Sequence, residues 1–185
     1  MSKIGRKKIQ IPSGLTVGIA DGFVNLSGSF GKATLKQPIE LEVGVTDGYL
    51  WVKPKEGYLI NGVWGLFHRT LTNAITGVTT GYKKQLELSG VGYRAKMEGD
   101  NVSLTVGFSH PVKFSPIEGI KFSVEGDTKI NVVGTDKQKV GEMAAKIKST
   151  KPAEPYKGKG IKYFGEVIRK KAGKAGKVGA AFGAK

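Results

Sequence analysis

The segment VNLSG at residues 24–28 recurs as LELSG at residues 86–90, and this repetition predicts the fold. A second pair, QPI at residues 37–39 and HPV at residues 110–112, follows in the same order. Similar segments in a fixed order indicate that one structural unit is encoded twice. The sequence therefore predicts an internal duplication, and the alternative is two independent strand-rich stretches that merely look alike.

Short alternating and β-branched segments surround both copies, and Gly or Asp-Gly pairs separate them. This pattern is typical of short antiparallel strands joined by tight turns. The predicted strands are residues 15–19, 22–26, 39–45 and 49–52 in the first half, and residues 85–88, 93–96, 101–106, 121–124 and 129–133 in the second.

Each half ends in a predicted amphipathic helix. The first begins near Leu59, and glycines stand where it should stop, at Gly77 and Gly81. Its apolar residues recur at three- and four-residue steps, at Ile60, Val63, Phe67, Leu71, Ala74 and Val78. The second helix has Thr135 or Asp136 as its cap and Pro152 beyond its end. Its predicted inward residues are Val140, Met143, Ala144 and Ile147.

The fold prediction is α+β, with two similar small domains and a basic C-terminal tail. Each domain is a short antiparallel or mixed sheet packed against one main helix. The predicted segments are residues 1–81 with a basic N-terminal arm, residues 82–152, and the tail at residues 153–185.

Charge is concentrated at the two ends of the chain. Residues 146–185 hold twelve Lys or Arg against two acids, which is +10 of the formal +15. Residues 12–145 hold fourteen bases and thirteen acids, a net of +1. A neutral body with cationic ends suits a polyanion, because each cation that neutralises a phosphate releases condensed counterions. Nucleic acid is therefore the first candidate partner.

Several other classes of site are disfavoured. The chain has no cysteine, which excludes disulfides and thiolate metal sites and fits a reducing, cytosol-like compartment. The GVGYRA segment at residues 90–95 fits a dinucleotide fingerprint only if a helix follows, and here a strand follows, so we predict a tight turn or bulge. Gly31-Lys32 is predicted to lie in a hairpin turn. His68 and His110 are too few and too far apart in sequence to predict a metal site, so we expect no metal, no cofactor and no catalysis.

Two rival functions remain open at this point. One is a nucleic-acid enzyme or its accessory subunit, which would need acids or a histidine organised around a metal. The other is a peripheral membrane protein, since anionic lipids attract polybasic segments. Against the second, the chain has no spanning apolar run, no secretory signal and no long amphipathic stripe in its tail.

The tail segment EPYKGKGIKY at residues 154–163 alternates cations with glycines between two tyrosines. Glycine allows close approach to phosphates, lysine supplies charge, and an aromatic ring can stack on an unpaired base. The alternative is a solvated basic tail. A run of three cations and a Gly/Lys-rich end that we expect to order only on its partner follow at residues 169–185.

These and other segments resemble ribosomal protein L six of the large ribosomal subunit. The similar segments are RTL and Asn73 at residues 69–73, GVTTGY at 77–82, LELSGVGYRA at 86–95, VGFSHPV at 106–112, GTDKQ with VG at 134–141, and the tail motif at 154–163. The order of these segments is that of the family, and the resemblance spans essentially the whole chain.

The resemblance implies a structural constituent of the large subunit that binds ribosomal RNA and supports translation. It implies a location near the sarcin-ricin region and the base of the factor-binding stalk, in a cytoplasmic or organellar ribosome. The implied partners are large-subunit ribosomal RNA, neighbouring ribosomal proteins and translation factors, with no membrane.

Candidate RNA-binding residues follow from the tail pattern and the resemblance together. They are Arg94, Lys96, Lys151, Tyr156, Lys157, Gly158, Lys159, Gly160, Lys162, Tyr163, Arg169, Lys170, Lys171, Lys174 and Lys177. A second candidate set lies in the N-terminal arm, at Lys3, Arg6, Lys7 and Lys8. Two features depart from the family: lysines replace the usual arginines at residues 146–151, and Ala153 separates Pro152 from Glu154. Lysine lacks the bidentate fork of arginine, so we expect general phosphate attraction there rather than a specific clamp.

Overall fold

The structure, a computed structural model, describes residues 3–58 and 62–174. It divides into two units, Met1–Tyr82 with Gly134–Val140, and Lys83–Val133 with Gly141–Lys185. Antiparallel sheets and one main helix recur in the two halves of the chain, so the predicted α+β fold with two similar domains is confirmed.

Two three-stranded sheets and one helix make up the first unit. In chain order the elements are β1 (Ile9–Gln10), β2 (Thr16–Ala20), β3 (Phe23–Ser27), β4 (Lys32–Lys36), β5 (Leu41–Thr46), β6 (Tyr49–Pro54) and α1 (Val63–Thr79). The sheets have the strand orders β2-β3-β4 and β1-β6-β5. Two-residue turns, Asp21-Gly22 and Asp47-Gly48, join β2 to β3 and β5 to β6, and all four residues have positive φ. That geometry matches the twist of a hairpin, so the Asp-Gly signals are correctly interpreted.

The core of the first unit lies against one face of α1. Its buried side chains on the helix include Trp64, Phe67, Leu71, Ile75 and Val78. The Trp64 indole N–H donates a hydrogen bond of 2.9 Å to the Val52 carbonyl, which ties the helix to the sheet.

The prediction for this helix needs three corrections. Leu59 and Ile60 lie outside the described residues, and α1 begins at Val63. Val63 and Ala74 are only partly buried, because the residues that follow them, Trp64 and Ile75, face the core instead. Gly77 does not end the helix, which continues to Thr79; Gly81, with φ of 75°, follows the end as predicted.

The second unit repeats this plan and adds one strand. In chain order the elements of this half are β7 (Tyr82–Ser89), β8 (Arg94–Glu98), β9 (Asn101–Thr105), β10 (Val112–Phe114), β11 (Ile120–Glu125), β12 (Lys129–Gly134), α2 (Lys137–Thr150) and β13 (Gly160–Tyr163). Tyr82, Gly134 and the first turn of α2, residues 137–140, belong to the first unit. The sheets have the orders β10-β9-β8 and β11-β12-β7-β13. The prediction of four inward residues on α2 is confirmed, since all four are buried. Asp136 is the cap: its Oδ1 accepts the Gln138 backbone N–H at 2.8 Å.

The duplication holds for the elements, but the residue matches that suggested it are wrong. Sheet β8-β9-β10 repeats β2-β3-β4, and β7, β12 and β11 repeat β1, β6 and β5. The counterpart of VNLSG in β3 is therefore VSLTV, residues 102–106, which starts in β9, whereas LELSG ends β7 and continues into the following turn. QPI likewise follows β4, whereas HPV leads into β10. Alternating apolar residues that end in Ser-Gly suit many strands, so the short match carried no register information.

Two helical glycines give opposite predictions for replacement by alanine. A Cβ at Gly77 would collide with the Thr135 backbone carbonyl in the same unit, whereas a Cβ at Gly141 meets nothing within 4 Å. We expect Gly77→Ala to destabilise the protein by about 1–3 kcal/mol. Gly141→Ala should stabilise it by roughly 0.5–1 kcal/mol, because alanine has the higher helix propensity. Thermal unfolding followed by circular dichroism measures both, and changes of the same sign would contradict the packing described.

Candidate nucleic-acid interface

The candidate interface is built on β13, the strand that breaks the duplication. β13 pairs antiparallel with β7, with Ile161 opposite Leu88 and Lys162 opposite Glu87. Ile161 is fully buried, and its N–H donates to the Lys151 carbonyl at 2.7 Å. The last four residues of the tail motif, Gly160–Tyr163, are therefore part of the sheet, in a strand that sequence reasoning did not predict.

Residues 153–159, which lie between α2 and β13, form a closed loop, called the C-terminal loop below. The Glu154 N–H donates to the Lys159 carbonyl at 2.9 Å, and the Gly158 N–H donates to the Glu154 carbonyl at 3.1 Å. Gly158 has φ of 71°, and Gly160 lies so close to the Pro152 carbonyl and Ala153 that a Cβ would be 2.6 Å from that oxygen. These two glycines shape the loop before any partner arrives.

The C-terminal loop presents its aromatic and basic side chains to solvent. Tyr156 is 57% exposed, and Lys157 and Lys159 are also exposed. The Lys171 N–H donates to the Pro155 carbonyl at 2.9 Å, which brings the cationic run of Arg169, Lys170 and Lys171 back to the loop. All three of these cations are exposed, as is Lys174. Lys177 lies outside the described residues.

Glu166 stabilises the position of β13 through contacts with Lys148 and Tyr163. Both of its carboxylate oxygens lie 2.7 Å from Lys148 Nζ, and its Oε2 accepts the Tyr163 backbone N–H at 2.9 Å. The Lys148 ammonium, and then the Tyr163 N–H, hold the pKa of the Glu166 carboxyl below its usual value. The ionised carboxylate therefore links the end of α2 to the end of β13.

The two tyrosines of the motif occupy different environments. The Tyr163 ring is partly buried, with Lys148 Nζ at 4.5 Å and Lys84 Nζ at 5.6 Å from its centroid. Lys162 is also engaged, 3.2 Å from the Glu87 carboxylate across the strand pair. Tyr156 is consequently the tyrosine whose ring is available to a partner, while Tyr163 and Lys162 hold the motif in place.

Arg94 and Lys96 lie exposed on β8, beyond the turn at residues 90–93. This turn, in which the Tyr93 N–H donates to the Gly90 carbonyl at 3.3 Å, confirms the tight-turn interpretation of GVGYRA. Gly160 is opposite Ser89, the last residue of β7. The turn and the C-terminal loop therefore leave the sheet at the same end, which places Arg94 on the loop side of the unit.

Sequence reasoning missed an aromatic pair in the same unit. Phe108 and His110 stack with ring centroids 6.5 Å apart, and Lys151 Nζ lies 5.4 Å from the Phe108 centroid. Phe108 is 42% exposed, whereas an apolar core position would be covered. The available signal was a Phe and a His in one short Gly- and Pro-containing segment.

The N-terminal arm belongs to the first unit and packs on α1. His68 Nε2 lies 2.9 Å from the Lys7 carbonyl, and a Cβ at Gly5 would be 2.6 Å from the Trp64 ring. The side chains of Lys3, Arg6, Lys7 and Lys8 are exposed around this turn.

Across residues 3–58 and 62–174, no group of three or more His, Cys, Asp or Glu side chains is placed to hold a metal ion. Within the same ranges, no helix is long and apolar enough to cross a membrane.

Replacing Glu166 tests whether its carboxylate holds the motif in place. We expect Glu166→Gln to lower the free energy of unfolding by about 1 kcal/mol at pH 7, because an ion pair and a charged acceptor are lost. The native pKa lies below the ordinary value of 4.5, so this contribution is complete above about pH 4.5 and is lost as pH falls through the native pKa. Melting curves of the two proteins should therefore differ at pH 7 and converge once the pH lies well below the native pKa. Glu118→Gln, at an exposed site, is the control; a gap that persists at low pH would contradict the role of the charge.

Comparison with known proteins identifies the family. The family model described as Ribosomal protein L6 matches residues 89–164, which include β8 to β13 and the C-terminal loop. The Large ribosomal subunit protein uL6 of Thermomicrobium roseum is 47% identical over 96% of this chain and 97% of its own length. Those of Salinispora tropica and Moorella thermoacetica are 48% and 45% identical, over 96% and 97% of this chain and 99% and 98% of their own lengths. The chain, from its first sheet to the braced C-terminal loop, thus belongs to the ribosomal protein L6 family.

Proposed function

We propose that this protein is a structural constituent of the large ribosomal subunit and binds ribosomal RNA through its C-terminal loop. The relatives support the first part, because several at 45–48% identity over nearly the whole chain carry the name Large ribosomal subunit protein uL6. The proposed role is to hold RNA shape without catalysis, at the ribosome of a cytoplasm or an organelle.

The preformed C-terminal loop is the observation that carries the RNA-binding proposal. Its backbone hydrogen bonds and the tight contact at Gly160 order the loop in the free protein, so binding costs little further conformational entropy. Exposed Lys157 and Lys159 can each neutralise a phosphate and release counterions. Tyr156 offers a ring face on which an unpaired base can stack.

The charges around the loop favour an anionic partner. The neighbouring acids Glu166 and Glu87 are already paired with Lys148 and Lys162, and the loop's own acid, Glu154, is exposed but outnumbered by the surrounding cations. Among the side chains that the structure describes, the cations at 157, 159 and 169–171 form no ion pair. Their positive charge is therefore not neutralised within the protein.

We extend the proposed surface to Arg94, Lys96, Lys151 and the Phe108–His110 pair, all in the second unit. The arm cations Lys3, Arg6, Lys7 and Lys8 form a second proposed RNA contact. Functionally, we propose the division into residues 1–81, 82–152 and 153–185, with the last segment supplying most of the RNA contact.

We further propose a position near the sarcin-ricin region and the base of the factor-binding stalk. Neighbouring large-subunit proteins and translation factors would be the protein partners there. The support for this position is the family pattern of the tail motif, which this chain retains from Glu154 to Tyr163.

Point variants test the loop more cleanly than truncation. Removing residues 155–185 would also remove Ile161 from the core, so a loss of binding would not distinguish lost contacts from unfolding.

We expect the double variant Lys157→Ala with Lys159→Ala to make the plot of log K against log salt less steep by about 1.4–1.8 for binding to large-subunit RNA, since each phosphate contact contributes roughly 0.7–0.9. The double variant Lys36→Ala with Lys55→Ala removes the same charge from exposed sites of the first unit and should leave the slope nearly unchanged. Equal slopes for the two variants would contradict the proposal.

Two variants of Tyr156 distinguish stacking of its ring on a base from hydrogen bonding by its hydroxyl. We expect Tyr156→Ala to weaken RNA binding by about 1–3 kcal/mol, because one base–ring stack is lost. Tyr156→Phe retains the ring and should bind within about twofold of the original protein. Filter binding at fixed salt measures both, and equal losses for the two variants would show that the hydroxyl, not the ring, makes the contact.

A further inference from the structure

The first unit contains a cleft that the proposed RNA contacts do not use. Its volume is about 420 Å³, within the usual range for ligand sites. Strand β4, helix α1 and residues 135–139 line it, and all of these segments belong to the first unit.

One stripe of α1 faces this cleft and is distinct from the stripe that faces the core. Leu66, Arg69, Thr70 and Asn73 follow at three- and four-residue steps and all line the cleft. Leu66 is 69% exposed and contributes uncovered apolar surface to the cleft. Leu35, Ala33 and Ala74 also line the cleft, so Leu66 is part of an apolar floor.

Cations surround this apolar floor. Lys32, Arg69, Lys137 and Lys139 line the cleft and are exposed, whereas its one acid is Asp136. The Asp136 carboxylate is already used, because its Oδ1 accepts the backbone N–H of Gln138. None of the four cations forms an ion pair with any side chain in the described ranges. The cleft therefore combines unneutralised positive charge with uncovered apolar surface.

We propose that this cleft docks an acidic peptide segment of a partner protein, with an aliphatic side chain of that segment covering Leu66. The cations select for carboxylates, and the floor selects for an apolar side chain between them. An RNA backbone satisfies the cations but offers no aliphatic group to Leu66 and Leu35, so a peptide fits the lining better. The proposal does not depend on RNA binding by the C-terminal loop.

Amide NMR spectra of the isotope-labelled full chain test the proposal at physiological salt. The probes are a short glutamate-rich peptide with two leucines, the same peptide with serines in place of the leucines, and a short single-stranded RNA. We expect the leucine peptide to shift the amide signals of Thr70, Asn73 and Gln138 and to saturate. The serine peptide should bind about tenfold more weakly, and the RNA should shift the C-terminal loop instead.

Charge reversal at the cleft gives the matched comparison. Arg69→Glu and Lys139→Glu should each weaken the leucine peptide about five- to tenfold, because attraction is replaced by repulsion. Lys36→Glu, on β4 but outside the lining, should change its affinity by less than about twofold. Unchanged signals elsewhere in each variant's spectrum confirm that it is folded.

Three results would overturn the proposal: peptide shifts confined to the C-terminal loop, no loss on charge reversal in the cleft, or cleft signals that respond more strongly to the RNA than to the peptide. Loss of RNA binding by the loop variants Lys157→Ala and Lys159→Ala, with peptide binding intact, would leave the cleft proposal standing. The two proposals therefore fail separately.

Discussion

The pairing of β13 with β7 is the interaction on which the candidate interface depends. Ordering the backbone of a four-residue strand costs about 4–8 kcal/mol in conformational entropy, at 1–2 kcal/mol per residue. Burial of Ile161 returns roughly 1.5–3 kcal/mol, so it does not suffice alone. Further contacts come from the backbone hydrogen bonds between β13 and β7 and from two ion pairs, Lys162–Glu87 and Lys148–Glu166. Because several modest contacts share this task, the C-terminal loop is held in place although it projects into solvent.

The interface lies where the duplication loses its symmetry. Among the residues that the structure describes, both halves have six strands followed by a helix, but only the second adds a strand beyond the helix, at the edge of β7. The basic motif occupies that addition and the loop before it. The first unit has instead its N-terminal turn held against α1 by His68 and Trp64, and a cation-lined cleft. Each unit therefore offers different surfaces although the two share one plan.

Periodicity and turn chemistry were enough to predict the class of fold and most elements. Asp-Gly turns, the inward residues of α2 and the Asp136 cap are local features, and local features are encoded in short segments. Equivalence between the halves was not predictable from VNLSG and LELSG, because strand register depends on long-range pairing. Strands β1 and β10 were missed because two and three residues are too few to show an alternating pattern, whereas β4 alternates over five residues and was overlooked.

The candidate site was predictable in its charges but not in its geometry. The sequence singled out Lys157, Lys159 and Tyr156, and all three are exposed on one loop. It did not distinguish them from Lys162 and Tyr163, since partners such as Glu87 and Lys148 come from distant positions in the chain. The spacing of the glycines suggested contact with phosphates. In the structure, glycine is needed at position 160 because the backbone of Pro152 and Ala153 leaves no room for a Cβ.

We propose that the C-terminal loop lies against ribosomal RNA, and its position in the assembled subunit can be measured directly. Because the chain has no cysteine, a single introduced cysteine is a unique attachment point. Glu154→Cys, carrying a tethered iron chelate that generates hydroxyl radicals, is assembled into large ribosomal subunits, with Glu56→Cys in the first unit as the matched control. We expect strand cleavage in a compact region of the large-subunit RNA that includes the neighbourhood of the sarcin-ricin loop. Cleavage from Glu154→Cys no greater than that from unmodified protein, in subunits shown to contain it, would contradict contact between the loop and ribosomal RNA.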